Sequence, residues 1–150
     1  MTPEMIKSMG AIGGAMALAL SALGSSAGIA VAGMAAVGAW KKCFAQNKPA
    51  PFLLVVFVAA PITQTFYGMI VLTKLLALGA AGASLISPIG WGLFGGAAIG
   101  LSAYGQGQIA ASASDAFAET GQGFTNYLMA LGVIESVAIF VMVFILVFAK

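Results

Sequence analysis

The hydrophobic positions of this chain fall into four long stretches that short polar segments separate. An α-helix rises about 1.5 Å per residue, so about 20 apolar residues cross the hydrocarbon core of a bilayer. Each stretch is at least that long, and the pattern predicts an all-α membrane protein with four transmembrane helices. We expect the first helix, which is longer than needed, to tilt or to project from the bilayer. The predicted spans are Gly10–Trp40, Phe52–Leu78, Ile89–Ser114 and Phe124–Ala149.

The composition favours the same class of protein. Hydrophobic residues make up 61% of the 150 residues and charged residues only 7%, whereas a soluble domain carries about 25% charged residues. The mean hydropathy is +1.07. A formal charge of +2 is too small and too scattered to attract nucleic acid. We therefore expect a lipid bilayer around the chain and no nucleic-acid partner.

One polar segment suggests how the chain is oriented in the membrane. Residues Lys41–Pro51 (KKCFAQNKPAP) are the one polar stretch in which positive charges cluster. The positive-inside rule places such a loop in the cytoplasm. We therefore predict a multi-pass protein of the plasma membrane with cytoplasmic loops at 41–51 and 115–123. Both termini and the connection at 79–88 would then lie outside.

The four spans alternate in the size of their side chains. Spans one and three are crowded with Gly, Ala and Ser, whereas spans two and four are rich in Phe, Val, Leu and Ile. Small residues four apart let two helix backbones approach closely in lipid. We expect spans one and three to form a tightly packed inner wall with neighbours on both sides, and the bulky spans to form an outer wall. The residues with this spacing are Gly24, Gly28, Ala32 and Ala36 in span one and Gly92, Gly96 and Gly100 in span three.

The order of these features repeats within the chain. Residues 26–30 (SAGIA) loosely echo residues 105–110 (GQGQIA). In each half a small-residue helix is followed by a polar loop and by a bulky helix with polar groups at mid-depth. The repeat predicts two fused helical hairpins, at about 10–78 and 89–149, within one domain that spans residues 1–150.

Glu135 is the only acidic residue inside a predicted span, and it lies near the middle of the fourth. A carboxylate at that depth costs about 2.5–3.5 kcal/mol on insertion scales, so something must bind, protonate or pair with it. The chain has no His and no Arg, and no Lys lies at a comparable depth. The natural partner is therefore a small cation.

Other polar residues lie at the depth of this carboxylate. Thr63, Gln64 and Tyr67 share one stripe of the second span with Ala60. Counting along the helices places Gln64 at the level of the acid, and Gln106 of the third span reaches the same level. Three helices would thus bring polar groups to one plane.

The oxygen atoms in this plane favour a hard cation over a transition metal. Pro61 has no N–H, so it loosens the helix and allows the main-chain oxygen near Ala60 to turn toward the site. A proton would need only the carboxyl group in an apolar surrounding. The additional oxygens therefore favour Na⁺, although H⁺ and simple interhelical hydrogen bonding both stay open. The side chains that can supply an oxygen are Glu135, Gln64, Gln106 and Thr63.

These residues give the chain a resemblance to the proteolipid, or c-ring, subunit of V-type ATPases, in its four-helix Na⁺-translocating form. The resemblance covers nearly the whole chain. It implies that Na⁺ is bound by Glu135, Gln64, Gln106, Thr63 and the carbonyl oxygen of Ala60, and that Tyr67 hydrogen-bonds the carboxylate. The motifs that carry it are P-x-T-Q-x-x-Y-G at 61–68, Q-G-x-x-A-A at 106–111 and I-E-S at 134–136.

The resemblance further implies a ring of copies that turns against a stator subunit with half-channels. A central-stalk subunit would sit on the cytoplasmic loops and couple the ring to a separate ATP-hydrolysing head. This chain has no G-x-x-x-x-G-K-[ST] motif for ATP, so we expect a non-catalytic, ion-translocating subunit without catalytic residues. The segment DAFAETGQG departs from the basic, proline-containing loop usual there. The alternatives are a stand-alone pore or transporter and a purely structural four-helix protein.

Overall fold

The computed structural model describes residues 2–82 and 86–150. Part of the predicted connection at 79–88 lies outside these ranges. Four helices are long and apolar enough to cross a membrane, and the described residues form no strand. The predicted all-α membrane fold is therefore confirmed. The elements are α1 Pro3–Ala45, α2 Leu54–Ala59, a 3₁₀ turn Ala60–Ile62, α3 Thr63–Ala80, α4 Ile86–Thr120 and α5 Phe124–Phe148.

Two helices extend beyond their predicted ends. With 43 and 35 residues, α1 and α4 are about 65 Å and about 52 Å long at the usual helical rise. The predicted loop bounds 41–51 and 115–123 are therefore wrong, because residues 41–45 and 115–120 are helical. Neither segment contains Gly or Pro to stop a helix. The loops at 46–53 and 121–123, together with the helix ends that flank them, form what we call the loop end of the bundle.

Local chemistry explains where the helices stop at the loop end. Asn47 takes a left-handed conformation with a φ of 53° just after α1, and Pro49 and Pro51 follow. Gly121 and Gly123 have φ values of 65° and 82° on either side of the second loop, a conformation that glycine adopts without strain. Lys42 donates a hydrogen bond to Glu119 and joins the extended ends of α1 and α4.

The backbones of α1 and α4 run parallel and touch through their glycines. A Cβ atom on Gly24 would lie only 2.0 Å from the carbonyl oxygen of Gly100, and one on Gly107 only 2.2 Å from that of Gly28. No side chain fits at such a distance, so the small residues are required there. The small residues thus bring the two helices together within one chain. That further copies pack on both sides of them stays a prediction.

Of the two bulky spans, α5 lies on the outside of this pair, whereas the second span is more buried than the first. Only three residues of α5 are buried, and its apolar side chains project away from the bundle. In a helix of this hydropathy such an unpartnered face suits lipid contact. The most exposed side chains of α5 are Met129, Val133, Phe140, Val147 and Phe148.

The core consists of two apolar clusters, one above the other. The cluster nearer the loop end is built on Phe57, whose ring centroid lies 5.3 Å from that of Phe124 and 6.2 Å from that of Phe117. The other cluster contains Val71 and Leu75 of α3 with residues of α1, α4 and α5. The predicted polar residues fall between these clusters along α3, α4 and α5. The apolar layers therefore close the polar layer from both ends.

The contact between α1 and α4 makes a prediction about stability. Gly24→Ala should destabilise the fold by about 1–3 kcal/mol, as overpacking commonly does, because the new methyl group meets backbone that cannot move aside. Thermal unfolding of the purified protein in detergent measures this as a lower Tm. The matched control is Gly38→Ala in the same helix, where a Cβ atom would meet nothing within 4 Å. Equal melting temperatures for the two variants would contradict the packing described here.

Candidate ion-binding site

Glu135 projects from the middle of α5 into the polar layer between the two apolar clusters. It is the twelfth of the 25 residues of that helix, and its side chain is half-buried. Gln64 of α3 and Gln106 of α4 are both fully buried, with 0% of their surface exposed. The predicted meeting of three helices around one carboxylate is present in the structure.

Two side chains donate hydrogen bonds to the carboxylate. The hydroxyl of Tyr67 lies 2.7 Å from Glu135 Oε1. Gln106 Nε2 lies 3.2 Å from Glu135 Oε2 and 3.1 Å from the carbonyl oxygen of Leu131, one turn earlier on α5. Each carboxylate oxygen thus has its own donor. Hydrogen bonds to a charged acceptor are stronger than those between neutral groups, so this arrangement fixes the side chain against α3 and α4.

The hydrogen bonds continue from Gln106 to the start of α3. Gln64 Nε2 donates to Gln106 Oε1 at 2.8 Å. Thr63 Oγ1 lies within hydrogen-bonding distance of two oxygens, Gln64 Oε1 at 3.1 Å and the carbonyl oxygen of Ala60 at 3.2 Å. Three oxygens with no charge, from a hydroxyl, an amide and the main chain, therefore lie together on one side of the layer.

Pro61 places the main-chain oxygen of Ala60 in this group. Because proline has no N–H, the carbonyl of Phe57 lacks its usual α-helical donor, and the chain tightens into the 3₁₀ turn Ala60–Ile62. The backbone N–H of Thr63 then bonds to the oxygen of Ala60, which also faces the Thr63 hydroxyl. The structure thus shows a tighter 3₁₀ turn at Pro61, and the predicted loosening of the helix there stays a prediction.

Sequence reasoning missed one residue that supports the site. Ser102 Oγ donates to the carbonyl oxygen of Ile134 at 2.8 Å, next to the carboxylate residue. Ser102 precedes Gln106 by four residues, so both lie on one face of α4 and both bond to the backbone of α5. The spacing of four residues between Ser102 and Gln106 is the sequence signal that could have identified Ser102 as part of the site. Together the two side chains fix the height of α5 against α4.

The carboxylate also borders a groove on the outside of the bundle. Its apolar walls come from the end of the first loop, from α2 and from α5, and Glu135 and Gln106 also line it. A side chain that swings outward from the layer would enter this groove. The walls include Phe52, Val55, Val56, Leu128 and Gly132.

The donor atoms suit a cation of single charge. One carboxylate provides the only charge in the layer, and the remaining groups are neutral. Within residues 2–82 and 86–150 no group of three or more His, Cys, Asp or Glu side chains could hold a metal ion. A monovalent cation at Glu135 would leave the layer neutral, which is the state that an apolar surrounding favours.

Comparison with known families bears on the second hairpin. Residues 89–148, which contain most of α4 and all of α5, match the family model of the ATP synthase C subunit. The second hairpin is therefore similar to an ATP synthase C subunit. Both Gln106 and Glu135 lie inside the matched segment, whereas Thr63, Gln64 and Tyr67 lie in the first hairpin, outside it. The sequence has no significant match among curated proteins.

This family match supports the proteolipid family suggested by the sequence motifs, without separating its V-type sodium form from the others. Four helices able to span a membrane agree with a multi-pass membrane protein.

The bond between Tyr67 and Glu135 predicts the reactivity of the carboxyl group. Tyr67→Phe removes a donor worth about 1.5–3 kcal/mol to a charged acceptor, so the carboxyl group should enter the groove more often. A hydrophobic carbodiimide should therefore label Glu135 faster in this variant, as mass spectrometry of the labelled protein would show. Tyr104→Phe, at an exposed position of α4, is the matched control. Unchanged labelling in Tyr67→Phe would mean that the hydroxyl does not hold the carboxylate.

Proposed function

We propose that this chain is the Na⁺-carrying subunit of the rotor ring of a V-type ATPase. The observation that carries the proposal is the unbroken series of hydrogen bonds that joins α3, α4 and α5 at Glu135, half-way along its span. A structural four-helix protein has no need for a carboxylate there. A carrier needs a charge that can be neutralised, held in the layer and released.

The proposed cargo is Na⁺, bound between the carboxylate and the neutral oxygens of α3. Glu135 would supply the charge, and Thr63 Oγ1, Gln64 Oε1 and the carbonyl oxygen of Ala60 would replace water around the ion. Gln106 at present turns its nitrogen toward Glu135. A half-turn of this amide exchanges its oxygen and nitrogen, which differ little in size, and a cation beside the carboxylate would favour the oxygen.

Neutralisation is what makes rotation through lipid possible in this proposal. A bare carboxylate in the apolar groove would be costly, whereas the Na⁺-loaded site carries no net charge. A stator subunit with two half-channels would supply water on each side and allow the ion to enter and leave. The hydroxyl of Tyr67 would hold the loaded carboxylate inward between these events.

In the ring, the helix pair α1 and α4 would face the centre and the bulky helices would face lipid. The exposed apolar side chains of α5 support this orientation. The loop end would face the cytoplasm, carry the central stalk and couple the ring to a catalytic head on other subunits. We place the ring in the plasma membrane with both termini of each copy outside, in accord with the lysines near the first loop.

The alternative is a ring of the same architecture that carries H⁺. The observation in its favour is that both oxygens of Glu135 already have protein donors, so the site is satisfied without a metal ion. Against it, a proton needs neither the two amides nor the hydroxyl. The ion competition described below separates the two.

The first prediction from this proposal concerns the charge. Glu135→Gln should abolish ion transport by the reconstituted complex because the amide cannot neutralise a cation, while a ring that resists SDS should still form. Ion uptake into vesicles on addition of ATP is the measurement. Glu4→Gln, at an exposed acid near the start of α1, should transport normally. Transport at the parental rate by Glu135→Gln would show that this residue does not carry the ion. If the unmodified chain never forms a ring, a pore or a transporter would be the better account.

The second prediction concerns the ion and its neutral ligands. Carbodiimide labelling of Glu135 at mildly acidic pH should fall as Na⁺ is added and should be indifferent to K⁺, which is too large for a compact site. Gln64→Ala and Gln106→Ala should each raise the Na⁺ concentration for half-protection by about 10–100-fold.

The matched control for these two variants is Gln108→Ala, at an exposed position of α4, which should behave like the parent. Labelling that ignores Na⁺ at every pH would contradict the sodium proposal and favour the proton ring. Protection by Na⁺ that is unchanged in both Gln64→Ala and Gln106→Ala would mean that these glutamines only bind the helices together.

A further inference from the structure

A buried hydroxyl group on α1 lies apart from the hydrogen bonds described so far. Ser21 and Ser25, one turn apart, are both buried in the bundle. The hydroxyl of Ser21 donates to the carbonyl oxygen of Ala17 at 2.7 Å. The hydroxyl of Ser25 is almost fully buried, with 2% of the residue exposed, and has no hydrogen-bond partner. Burying an unpaired hydroxyl group is unfavourable. We therefore expect the Ser25 hydroxyl to have a hydrogen-bond partner in the working protein.

Two close contacts fix which residues of the second span face this part of α1. A Cβ atom on Gly68 would lie 2.6 Å from the Cβ atom of Ser21. One on Gly28 would lie 3.0 Å from the Cβ atom of Pro61. Ser21, the earlier residue on α1, therefore meets Gly68, the later residue on the second span, and Gly28 meets Pro61. The two segments run antiparallel.

Ser25 and Gln64 are the residues that lie between these two contacts. On α1, Ser25 lies four residues after Ser21 and three residues before Gly28. On the second span, Gln64 lies four residues before Gly68 and three residues after Pro61. Both residues are buried. The antiparallel register therefore sets Ser25 opposite Gln64, on the side of the polar layer that faces α1.

Gln64 has hydrogen-bonding capacity to spare at this position. Its Oε1 lies 3.1 Å from the hydroxyl of Thr63, and its Nε2 donates to Gln106 Oε1. A side-chain amide nitrogen carries two hydrogens, so a second one is available for an acceptor. A serine hydroxyl is such an acceptor and is compact enough for the interface of α1 with α3.

We infer that Ser25 is a positioning residue of the ion site, whose hydroxyl accepts the second amide hydrogen of Gln64 across one water molecule. The inference rests on the proposed function, because its effect is to keep Gln64 Oε1 directed at the ion. The oxygen and nitrogen of an amide are similar in size, so packing alone selects between them weakly. In the structure Gln106 Oε1 accepts from this nitrogen. When Gln106 turns its own oxygen to the ion, Ser25 Oγ is the acceptor that remains for the nitrogen, and it selects the orientation of Gln64 that offers oxygen to a cation.

The test is Na⁺ protection of Glu135 from carbodiimide in assembled rings that carry Ser25→Ala. We expect the Na⁺ concentration for half-protection to rise about 10-fold, at the lower end of the range for residues that orient a ligand. The pH dependence of labelling without Na⁺ should stay unchanged, since Ser25 does not touch the carboxylate. The matched control is Ser114→Ala, because Ser114 is also buried and unpartnered but lies about 12 Å from Gln106 along α4.

A double variant shows whether Ser25 acts through Gln64. If it does, Ser25→Ala should add no further loss of Na⁺ protection in a ring that already carries Gln64→Ala, whereas independent effects would multiply. Parental protection in Ser25→Ala, an equal shift in Ser114→Ala, or multiplied effects in the double variant would each overturn the inference while leaving the sodium proposal intact. A parent ring that Na⁺ does not protect would overturn both.

Discussion

The requirement to satisfy one carboxylate half-way across an apolar helix governs the arrangement of the rest of this protein. Lipid offers no hydrogen bonds, so each polar group that approaches Glu135 must itself be satisfied by protein. Tyr67 and Gln106 bond to the carboxylate, and Gln106 in turn is held by Gln64. The network therefore grows from one helix to three. The two apolar clusters above and below it confine the polar groups to a thin layer.

Such a network needs its helices held at fixed heights, and the glycines provide this. Backbone contact between α1 and α4 leaves no room for one helix to slide past the other, because each close approach matches only one register. The second span is set against α1 in the same way. By contrast, α5 has few buried residues, and Ser102 and Gln106 of α4 donate hydrogen bonds to its backbone. The helix that carries the carboxylate is thus the least enclosed of the four spans.

The sequence was sufficient for the spans and for the depth of the polar residues. Length and hydropathy define a membrane helix, and counting residues along it places Gln64 and Glu135 at one level because the helical rise is constant. Pro61 likewise indicated a local departure from α-helical geometry in the second span, where the structure has a 3₁₀ turn. These features depend on residues that lie close together in sequence.

Features that depend on distant partners were not predictable in this way. The continuation of α4 to Thr120 is accompanied by a bond between Lys42 and Glu119, which are 77 residues apart. The direction in which each glutamine turns its oxygen depends on the atoms around it, and these belong to other helices. The role of Ser102 required the register of α4 against α5.

The two hairpins differ in one respect that bears on energy conversion. At the level of the site the first contributes the amide of Gln64 and the second the carboxyl group of Glu135, so each copy of the chain has one carboxyl group at this level for four helices that can span a membrane. In a rotor ring, a full turn would then deliver one ion per four helices that pass the stator. With the work per turn fixed by the motor, fewer ions share that work, and each can be moved against a steeper electrochemical gradient. In such a ring, the presence of a glutamine or a glutamate at this level of each hairpin would set the number of ions carried per turn.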